Sequence, residues 1–194
     1  MICNDKMLYF EDSKKKKIYS YGPYKKDFYK YMLKYGNRVS TSASVVKKDF
    51  LKKNHIKYNE NKKFISTEDY EFFLNIARKN GKFYFYHKVL GCHLMHNMSA
   101  SANYYKHQKA LKEVCYYHTF SLQEFDSDKK GLWKHINFYI TFKDMIYNLK
   151  TNKFNYKVFK KIIKLFTKSP ISFFKLFFIQ FYRSSFKTKR FNYD

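Results

Sequence analysis

The chain has 194 residues, 45% hydrophobic and 22% aromatic, enough for one packed domain with an appendage and too apolar for general disorder. Its 40 basic and 15 acidic residues give a formal charge of +25, which favours anionic partners such as nucleotides or an anionic membrane. Because only four basic residues are arginines and no helix-turn-helix, zinc-finger or RNP-like pattern is present, specific nucleic-acid binding is not expected.

The first third of the chain predicts short elements separated by turns. Residues 1–10, MICNDKMLYF, predict a strand and lack the basic and apolar regions of a signal peptide. A lysine run at 14–17 and a turn at Gly22-Pro23 follow it. The next predicted elements are a helix over 26–36 that ends at Gly36, a strand over 38–46 and a helix over 47–54.

The clearest predicted helix lies within ISTEDYEFFLNIARKNG, residues 65–81. Ser66 and Asp69 fit a capping box at its start, and Gly81 suits its end. Glu68 stands beside Asp69, so this acidic pair has two interpretations, helix capping or chemistry. The apolar residues recur at i, i+3, i+4 and i+7 and share one face: Tyr70, Phe73, Leu74 and Ala77.

The second half of the chain turns from mixed to helical character. Residues 82–91 are aromatic and β-branched and predict a strand, the segment after it predicts a loop, and 103–125 predict a helix. The composition changes near Ser127–Gly131, which indicates a subdomain boundary. We therefore expect three parts: an α/β region over 1–102, a helical extension over 103–150, and basic amphipathic or aromatic helices over 151–194.

The last part has two interpretations. Within 157–168 apolar residues occupy one helix face and lysines the other, Pro170 breaks this helix, and 171–182 predict a very apolar second one. These helices either pack on the domain or lie in a membrane interface, with lysines on lipid phosphates. No stretch reaches the roughly 18 apolar residues of a membrane span. The candidate interface residues are Phe159, Ile163, Phe166, Phe174, Phe178, Lys160 and Lys164.

The cysteines and histidines indicate no structural cross-link. Cys3, Cys92 and Cys115 are odd in number and widely spaced, so we expect no disulfide framework. This cysteine pattern predicts a cytoplasmic protein. The spacing of Cys92, His93 and His96 matches no standard zinc site, so we expect no structural metal.

Residues 37–101 resemble the C-terminal part of family 2 glycosyltransferases, which have the GT-A fold. The segments that carry the resemblance are NRVSTSASVVKKDFL (37–51), EDYEFFLNIARKNGKFYFYHKVL (68–90) and HNMSAS (96–101), in that order and spacing. Residues 1–36 extend it more weakly. The resemblance implies an α/β fold class, with 1–102 as the acceptor-side half of a Rossmann-like mixed sheet and an α-helical C-terminal region after it.

The resemblance also implies a reaction, the inverting transfer of a sugar from a nucleotide-sugar donor to a glycan or lipid-linked hydroxyl acceptor. Asp69 matches the family's general base, and Glu68 would orient a substrate hydroxyl. A helix N-terminus favours the ionised form that a base needs. His96 matches a histidine on the substrate side. Asn37, Thr41 and Ser42 either line an acceptor cleft or are simply packed.

One departure from the family concerns the metal. The resemblance implies Mg²⁺ or Mn²⁺ held by a D-x-D motif in a preceding nucleotide-binding half, which this sequence does not contain. The only D-x-D, at 126–128, lies in a predicted linker. We therefore expect a truncated glycosyltransferase of bacterial polysaccharide or lipooligosaccharide synthesis, peripheral on the inner face of the cytoplasmic membrane. The alternatives are an inactive remnant and a basic membrane-binding module.

Overall fold

The computed structural model describes residues 1–96, 103–122, 124–125, 127–151 and 156–186. Its strands are β1 (Ile2–Phe10), β2 (Lys15–Tyr19), β3 (Ser44–Val45) and β4 (Tyr84–Met95). The α-helices in the described ranges are α1 (Phe28–Tyr35), α2 (Lys48–Lys53), α3 (Glu68–Arg78), α4 (Tyr104–Tyr116), α5 (Lys129–Lys150), α6 (Tyr156–Lys168) and α7 (Pro170–Phe186). This mixed α/β architecture confirms the coarse fold class, while the finer GT-A assignment stays a prediction.

Strand β1 organises the four-stranded mixed sheet. It pairs in parallel with β4 along its whole length, from Ile2 to Phe10. Its other edge is shared by two antiparallel partners, β3 opposite Ile2 and Cys3, and β2 opposite residues 6–10. Because three strands converge on β1, a polar side chain in this strand lies close to loops from several parts of the sequence.

The chain divides into two compact units, Met1–Ile136 and Asn137–Asp194. In the first unit, α1 and α3 meet in an apolar core, and the Tyr70 hydroxyl donates a hydrogen bond to the Met32 carbonyl at 2.9 Å. The predicted apolar face of α3 is confirmed, because its members are all buried. The largest fully buried side chains of this core include Met32, Leu33, Tyr70, Phe73, Leu74 and Ile76.

The ends of α3 are built differently from the predicted capping box. Thr67, not Ser66, is the N-cap residue, and its hydroxyl donates to the Phe64 carbonyl instead of capping the helix. Ser66 has a positive φ of 77° and lies outside the helix. The capping-box prediction is therefore wrong, since the preceding turn uses the hydroxyl that would cap the helix.

The C-terminal end of α3 follows the prediction more closely. The Gly81 amide donates to the Ile76 carbonyl at 2.9 Å and the Asn80 amide to the Ala77 carbonyl at 3.0 Å, as in a Schellman motif. Asn80 takes the left-handed position, with φ of 57°. A Cβ at Gly81 would lie only 2.5 Å from Cγ2 of Ile76, so close packing requires the glycine.

Two predictions from the first third of the chain need correction. The lysine run belongs to a strand, β2, because pairing with β1 leaves the lysines on an exposed sheet edge. The predicted strand over 38–46 is reduced to Ser44–Val45, because Thr41–Ala43 form a 3₁₀ turn before the chain reaches β1.

The second unit consists of the carboxyl part of α5 together with α6 and α7. Phe173 of α7 packs edge-on against Phe142 and Phe166 at 5.8 and 6.0 Å between ring centroids. Pro170 opens α7, where its missing N–H is not needed. Among the described residues, none of the helices combines the length and the apolar character that a bilayer span demands. The buried side chains of this unit include Phe142, Met145, Val158, Leu165 and Leu176.

Candidate functional site

Asp69 lies in the first turn of α3 and is oriented from two sides. The Thr41 hydroxyl donates to its Oδ2 at 3.0 Å, and the backbone N–H of Tyr70 donates to its Oδ1 at 2.7 Å. The carboxylate is only half buried. The 3₁₀ turn at Thr41–Ala43 thus places a hydroxyl on a carboxylate that remains open to a substrate.

Lys6 of β1 supplies a buried cation to the same place. Its Nζ donates to Ser40 Oγ at 2.9 Å and Ser42 Oγ at 3.2 Å, and the residue is 9% exposed. Burial lowers the pKa of the Lys6 ammonium, and the negative charge of Asp69 is among the causes that oppose this shift. Lys6 was not among the predicted site residues, although the polar NDK within an apolar strand was a signal of an inward-facing group.

Aromatic side chains flank this pair of charges. The ring centroid of Tyr21 lies 5.8 Å from Lys6 Nζ, within cation–π range. Tyr58 stacks on Phe72 with ring centroids 4.5 Å apart. Burial, and then the nearby charge of Asp69, raise the pKa of Tyr58. Tyr21 therefore lies beside the Lys6 ammonium, and the charge of Asp69 reaches Tyr58.

His93 lies near the C-terminal end of β4, and His96 follows the strand. Burial lowers the pKa of His93, and the charges of Lys6 and His96 lower it further. His96, a predicted substrate-side residue, thus lies in the electrostatic neighbourhood of His93, which the sequence analysis considered only in a zinc pattern that it rejected. The rest of the HNMSAS segment, residues 97–101, lies outside the described residues.

The other predicted site residues have different environments. Ser42 joins the site through Lys6, as described. Asn37 Oδ1 accepts from the Val39 backbone N–H at 3.0 Å, so this side chain shapes a local turn. Glu68 is half buried, and no described residue donates a hydrogen bond to its carboxylate. The structure therefore joins Thr41, Ser42 and Asp69 and leaves Asn37 and Glu68 unconnected to them.

A second polar cluster lies deeper, on the neighbouring face of α3. Glu71 and His118 are 1% and 0% exposed, and Oε1 of the glutamate lies 3.7 Å from Nε2 of the histidine. His118 Nδ1 pairs with the Tyr29 hydroxyl at 2.9 Å. Burial lowers the pKa of His118 and the Glu71 carboxylate opposes the shift. The π-helix Tyr117–Ser121 carries this histidine, which no sequence pattern indicated.

A cleft of about 420 Å³ opens beside this cluster. Segment 54–60 forms one side, α3 forms the other, and Tyr117 completes the lining. Tyr58 belongs to the cleft and is also close enough to Asp69 to sense its charge. The residues that α3 contributes are Glu71, Asn75 and Arg78, followed by Lys79 just past its end.

The Mg²⁺ or Mn²⁺ that the resemblance implies belongs to a D-x-D motif of a preceding half and not to Asp69, so this expectation stays a prediction. Such ions take several hard oxygen ligands, whereas the charge of Asp69 acts here on a buried ammonium, that of Lys6. Within the described ranges, His, Cys, Asp and Glu side chains form no group of three suited to a metal. Asp126 of the downstream D-x-D lies outside those ranges.

The second unit exposes the predicted apolar side chains. Phe159, Ile163 and Phe166 of α6 are 48%, 46% and 42% exposed, and Phe174 and Phe178 of α7 are 48% and 65% exposed. Lys160 and Lys164 are also exposed. Lys161, by contrast, forms an ion pair with Asp144. An exposed apolar face with cations beside it is therefore a property of this unit.

Comparison of the chain with protein-family models, with curated proteins and with solved structures gives no match in any of the three.

Proposed function

We propose that the chain is a glycosyltransferase subunit or portion that transfers a sugar from a nucleotide-sugar donor to a hydroxyl acceptor with inversion. The observation that carries the proposal is the half-buried Asp69 carboxylate, held by Thr41 and set beside the buried Lys6 ammonium. A general base needs an oriented carboxylate within reach of the acceptor hydroxyl. The resemblance of 37–101 to family 2 glycosyltransferases supports the same role for Asp69.

In this reaction Asp69 accepts the proton of the acceptor hydroxyl. The acceptor oxygen forms a bond to the anomeric carbon from the face opposite the leaving group. The bond from that carbon to the nucleotide diphosphate breaks, and its electron pair leaves with the phosphate oxygen. Positive charge at Lys6 offsets the negative charge that accumulates on the diphosphate, as fixed cations do in phosphate chemistry.

The remaining residues bind substrate in this proposal. Thr41 holds Asp69 in its working rotamer, and Ser42 holds Lys6. Glu68 is available to an acceptor hydroxyl because no described residue occupies its carboxylate. His96 contributes from the end of β4, and Asn37 shapes the loop before Thr41. The acceptor class that fits the proposal is a bacterial surface glycan or its lipid-linked precursor.

The test is Asp69→Asn in the full chain, assayed for nucleotide-sugar turnover with saccharide acceptors. Loss of a general base predicts a decrease of about 10²- to 10⁴-fold in kcat. Asp49→Asn is the matched control, since Asp49 is an exposed acidic residue in the first turn of α2. An active Asp69→Asn variant would contradict the role of Asp69. A wild-type chain that folds but turns over no donor would favour the inactive remnant.

A second candidate function, binding to an anionic membrane surface, is favoured by the exposed apolar face of α6 and α7. Residues 154–190 contain ten basic and no acidic side chains. Lysines beside an anionic leaflet contribute about 1 kcal/mol each, and the buried apolar side chains add to this. The candidate residues are Phe159, Ile163, Phe166, Phe174, Phe178, Lys160 and Lys164.

Vesicle co-sedimentation tests this membrane proposal. The full chain should bind vesicles of phosphatidylglycerol and phosphatidylcholine, bind pure phosphatidylcholine poorly, and dissociate at high salt. The double variant Ile163→Ser/Phe166→Ser should weaken binding. Leu90→Ser, which removes an apolar side chain that is 66% exposed from β4, should not. Equal losses in both variants, or equal binding to neutral vesicles, would contradict the proposal.

A further inference from the structure

The cleft beside α3 has a wall built from one polar stripe of that helix. Glu71, Asn75 and Arg78 follow each other at i, i+4 and i+7 and therefore share a face. Segment 54–60 lies opposite. The volume of about 420 Å³ is within the range of small-molecule sites, roughly 300–1,000 Å³.

The wall contains hydrogen-bonding groups that the protein leaves unused. Glu71 is 1% exposed; its Oε1 accepts from Asn75 Nδ2 at 2.7 Å, but its Oε2 has no hydrogen-bond partner in the described part of the chain. Arg78 donates from Nη1 to Glu124 Oε1 at 3.0 Å, and its buried Nε is likewise unpartnered among those residues. Buried polar groups are nearly always paired, so a ligand with both donors and acceptors would complete this wall.

The rim of the cleft adds charge and an aromatic surface. Lys57 and Lys79 are exposed cleft residues, and Glu60 is the exposed acidic residue among the lining side chains. Tyr58 is 49% exposed and has one ring face covered by Phe72, which leaves the other face for a ligand. A positive rim disfavours cationic ligands, and the buried Glu71 disfavours a wholly anionic one.

We propose that this cleft binds an acidic saccharide unit. A sugar hydroxyl hydrogen-bonds to the polar stripe of α3, the sugar ring packs on Tyr58, and a carboxylate or phosphate of the saccharide lies near Lys57 and Lys79. The binding itself stands independently of the proposed transfer reaction. Its further meaning, that the cleft holds part of the acceptor while Asp69 acts, rests on the proposed function. Tyr58 connects the two places, since it lines the cleft and senses the charge of Asp69.

The test is a titration of the full chain followed by NMR of its side-chain amides. Glucuronic acid is the probe, with glucose as the neutral comparison and inorganic phosphate as the anion without a sugar. We expect glucuronate to bind more tightly than either, and to shift the amide signals of Asn59 and Asn75. Glucose or phosphate binding as tightly as glucuronate would overturn the proposal.

Charge reversal at the rim locates the binding. Lys57→Glu/Lys79→Glu should weaken glucuronate binding by about tenfold or more and leave the weak glucose binding unchanged. Lys16→Glu/Lys17→Glu, on the exposed edge strand β2, changes the net charge equally and should have no such effect. If glucuronate binding weakens equally in the two double variants, only the overall charge of the protein attracts the ligand. This result would overturn the assignment of binding to the cleft.

Two more variants test the ligand contacts inside the cleft. Glu71→Gln should abolish the glucuronate shifts, and Tyr58→Ala, at an exposed position, provides the same test if the buried substitution fails to fold. Retained binding in a folded Tyr58→Ala variant would contradict the proposed packing. Asp69→Asn should still bind glucuronate as the wild type does. In the wild-type chain, glucuronate binding without donor turnover would contradict the transfer reaction alone, and donor turnover without glucuronate binding would contradict the cleft assignment alone.

Discussion

Helices α3 and α6 have similar lengths, 11 and 13 residues, but opposite surroundings. In α3 seven residues are buried, including a glutamate. In α6 the buried side chains among those described are Val158 and Leu165, and the apolar stripe of the same helix is largely exposed. The first helix is thus enclosed by its own unit, whereas the second presents a face that its unit does not cover.

The two units place their apolar side chains differently. Around α3 the apolar side chains close a core, and the polar ones left inside it form clusters with defined partners. Around α6 apolar and cationic side chains stand together on the surface. Burial of apolar side chains around α3 stabilises the first unit itself. The exposed apolar side chains of α6 would instead lower the free energy when they are buried against a binding partner.

Truncating one apolar side chain in each helix gives the largest expected effect. Leu74 is fully buried, so Leu74→Ala should lower the free energy of unfolding by about 2–5 kcal/mol. Ile163→Ala, at a residue 46% exposed, should change it by only about 0.5 kcal/mol. Urea unfolding followed by circular dichroism measures both. Comparable decreases in the free energy of unfolding would mean that α6 is as buried as α3, which would contradict the contrast between the two helices.

The end of α3 provides a second, smaller test. In Gly81→Ala the new Cβ would lie 2.5 Å from Ile76 Cγ2 and 2.7 Å from the Ile76 carbonyl oxygen. Overpacking of this kind should lower the free energy of unfolding by about 1–3 kcal/mol. Gly91→Ala in β4 is the matched control, because a Cβ there would have no heavy atom of the described residues within 4 Å beyond its own chain neighbours. An unchanged free energy of unfolding in Gly81→Ala would show that Ile76 and the end of α3 shift to accommodate the new Cβ.

The buried His118 should make the first unit sensitive to acid. Its folded-state pKa is lowered by burial, so the unfolded chain binds the proton first as the pH falls. The contribution of neutral His118 to the free energy of unfolding is therefore fully present above about pH 6.5. It is lost as the pH falls toward the lowered folded-state pKa, by up to about 1.4 kcal/mol per pH unit. The groups that face this histidine are Tyr29, Glu71, Arg78 and Glu124.

Thermal unfolding across this pH range measures the effect. His118→Gln should flatten the pH dependence of the melting temperature even if the variant is less stable overall. His93→Gln is the comparison, since His93 also has a lowered pKa but is only partly buried and should contribute less. If both variants keep the wild-type slope, other groups cause the acid sensitivity.

The smallest expected effect concerns the ion pair of the second unit. The side chains of Lys161 and Asp144 are 42% and 17% exposed, so solvent screens their attraction. Lys161→Met should therefore lower the free energy of unfolding by no more than about 1 kcal/mol. Lys164→Met, on the same helix, should cost less still. A larger decrease in the free energy of unfolding for Lys161→Met would show that the second unit depends on polar pairs, as the first unit does.

Local patterns predicted much of the fold. The apolar repeat in α3 and the opposed lysine and apolar faces of α6 are periodic within a few residues, so the sequence indicated both helices. Strand β2 was missed because its lysine-rich sequence is suited to a strand only once β1 supplies a partner. The capping box failed for a similar reason, since the Thr67 hydroxyl is engaged by the preceding turn.

The candidate site was predicted only in part, because its contacts join distant residues. Asp69 and Thr41 were named from the resemblance, and the structure pairs them. Lys6 reaches Ser40 across 34 residues, a separation that no periodicity can detect. Glu71 and His118 meet only after the π-helix is packed against α3. Such pairs depend on the tertiary fold, and one sequence alone carries no pattern for them.

The three free cysteines have a practical consequence. Cys3 and Cys115 are buried, and burial raises the pKa of both thiols, that of Cys115 to about 12. Because thiolates are the reactive form, maleimide dyes should couple selectively at the exposed Cys92, immediately before His93. The unmodified sequence therefore already contains a single attachment point for a fluorescent reporter, placed where ligand arrival beside Lys6 would change its emission.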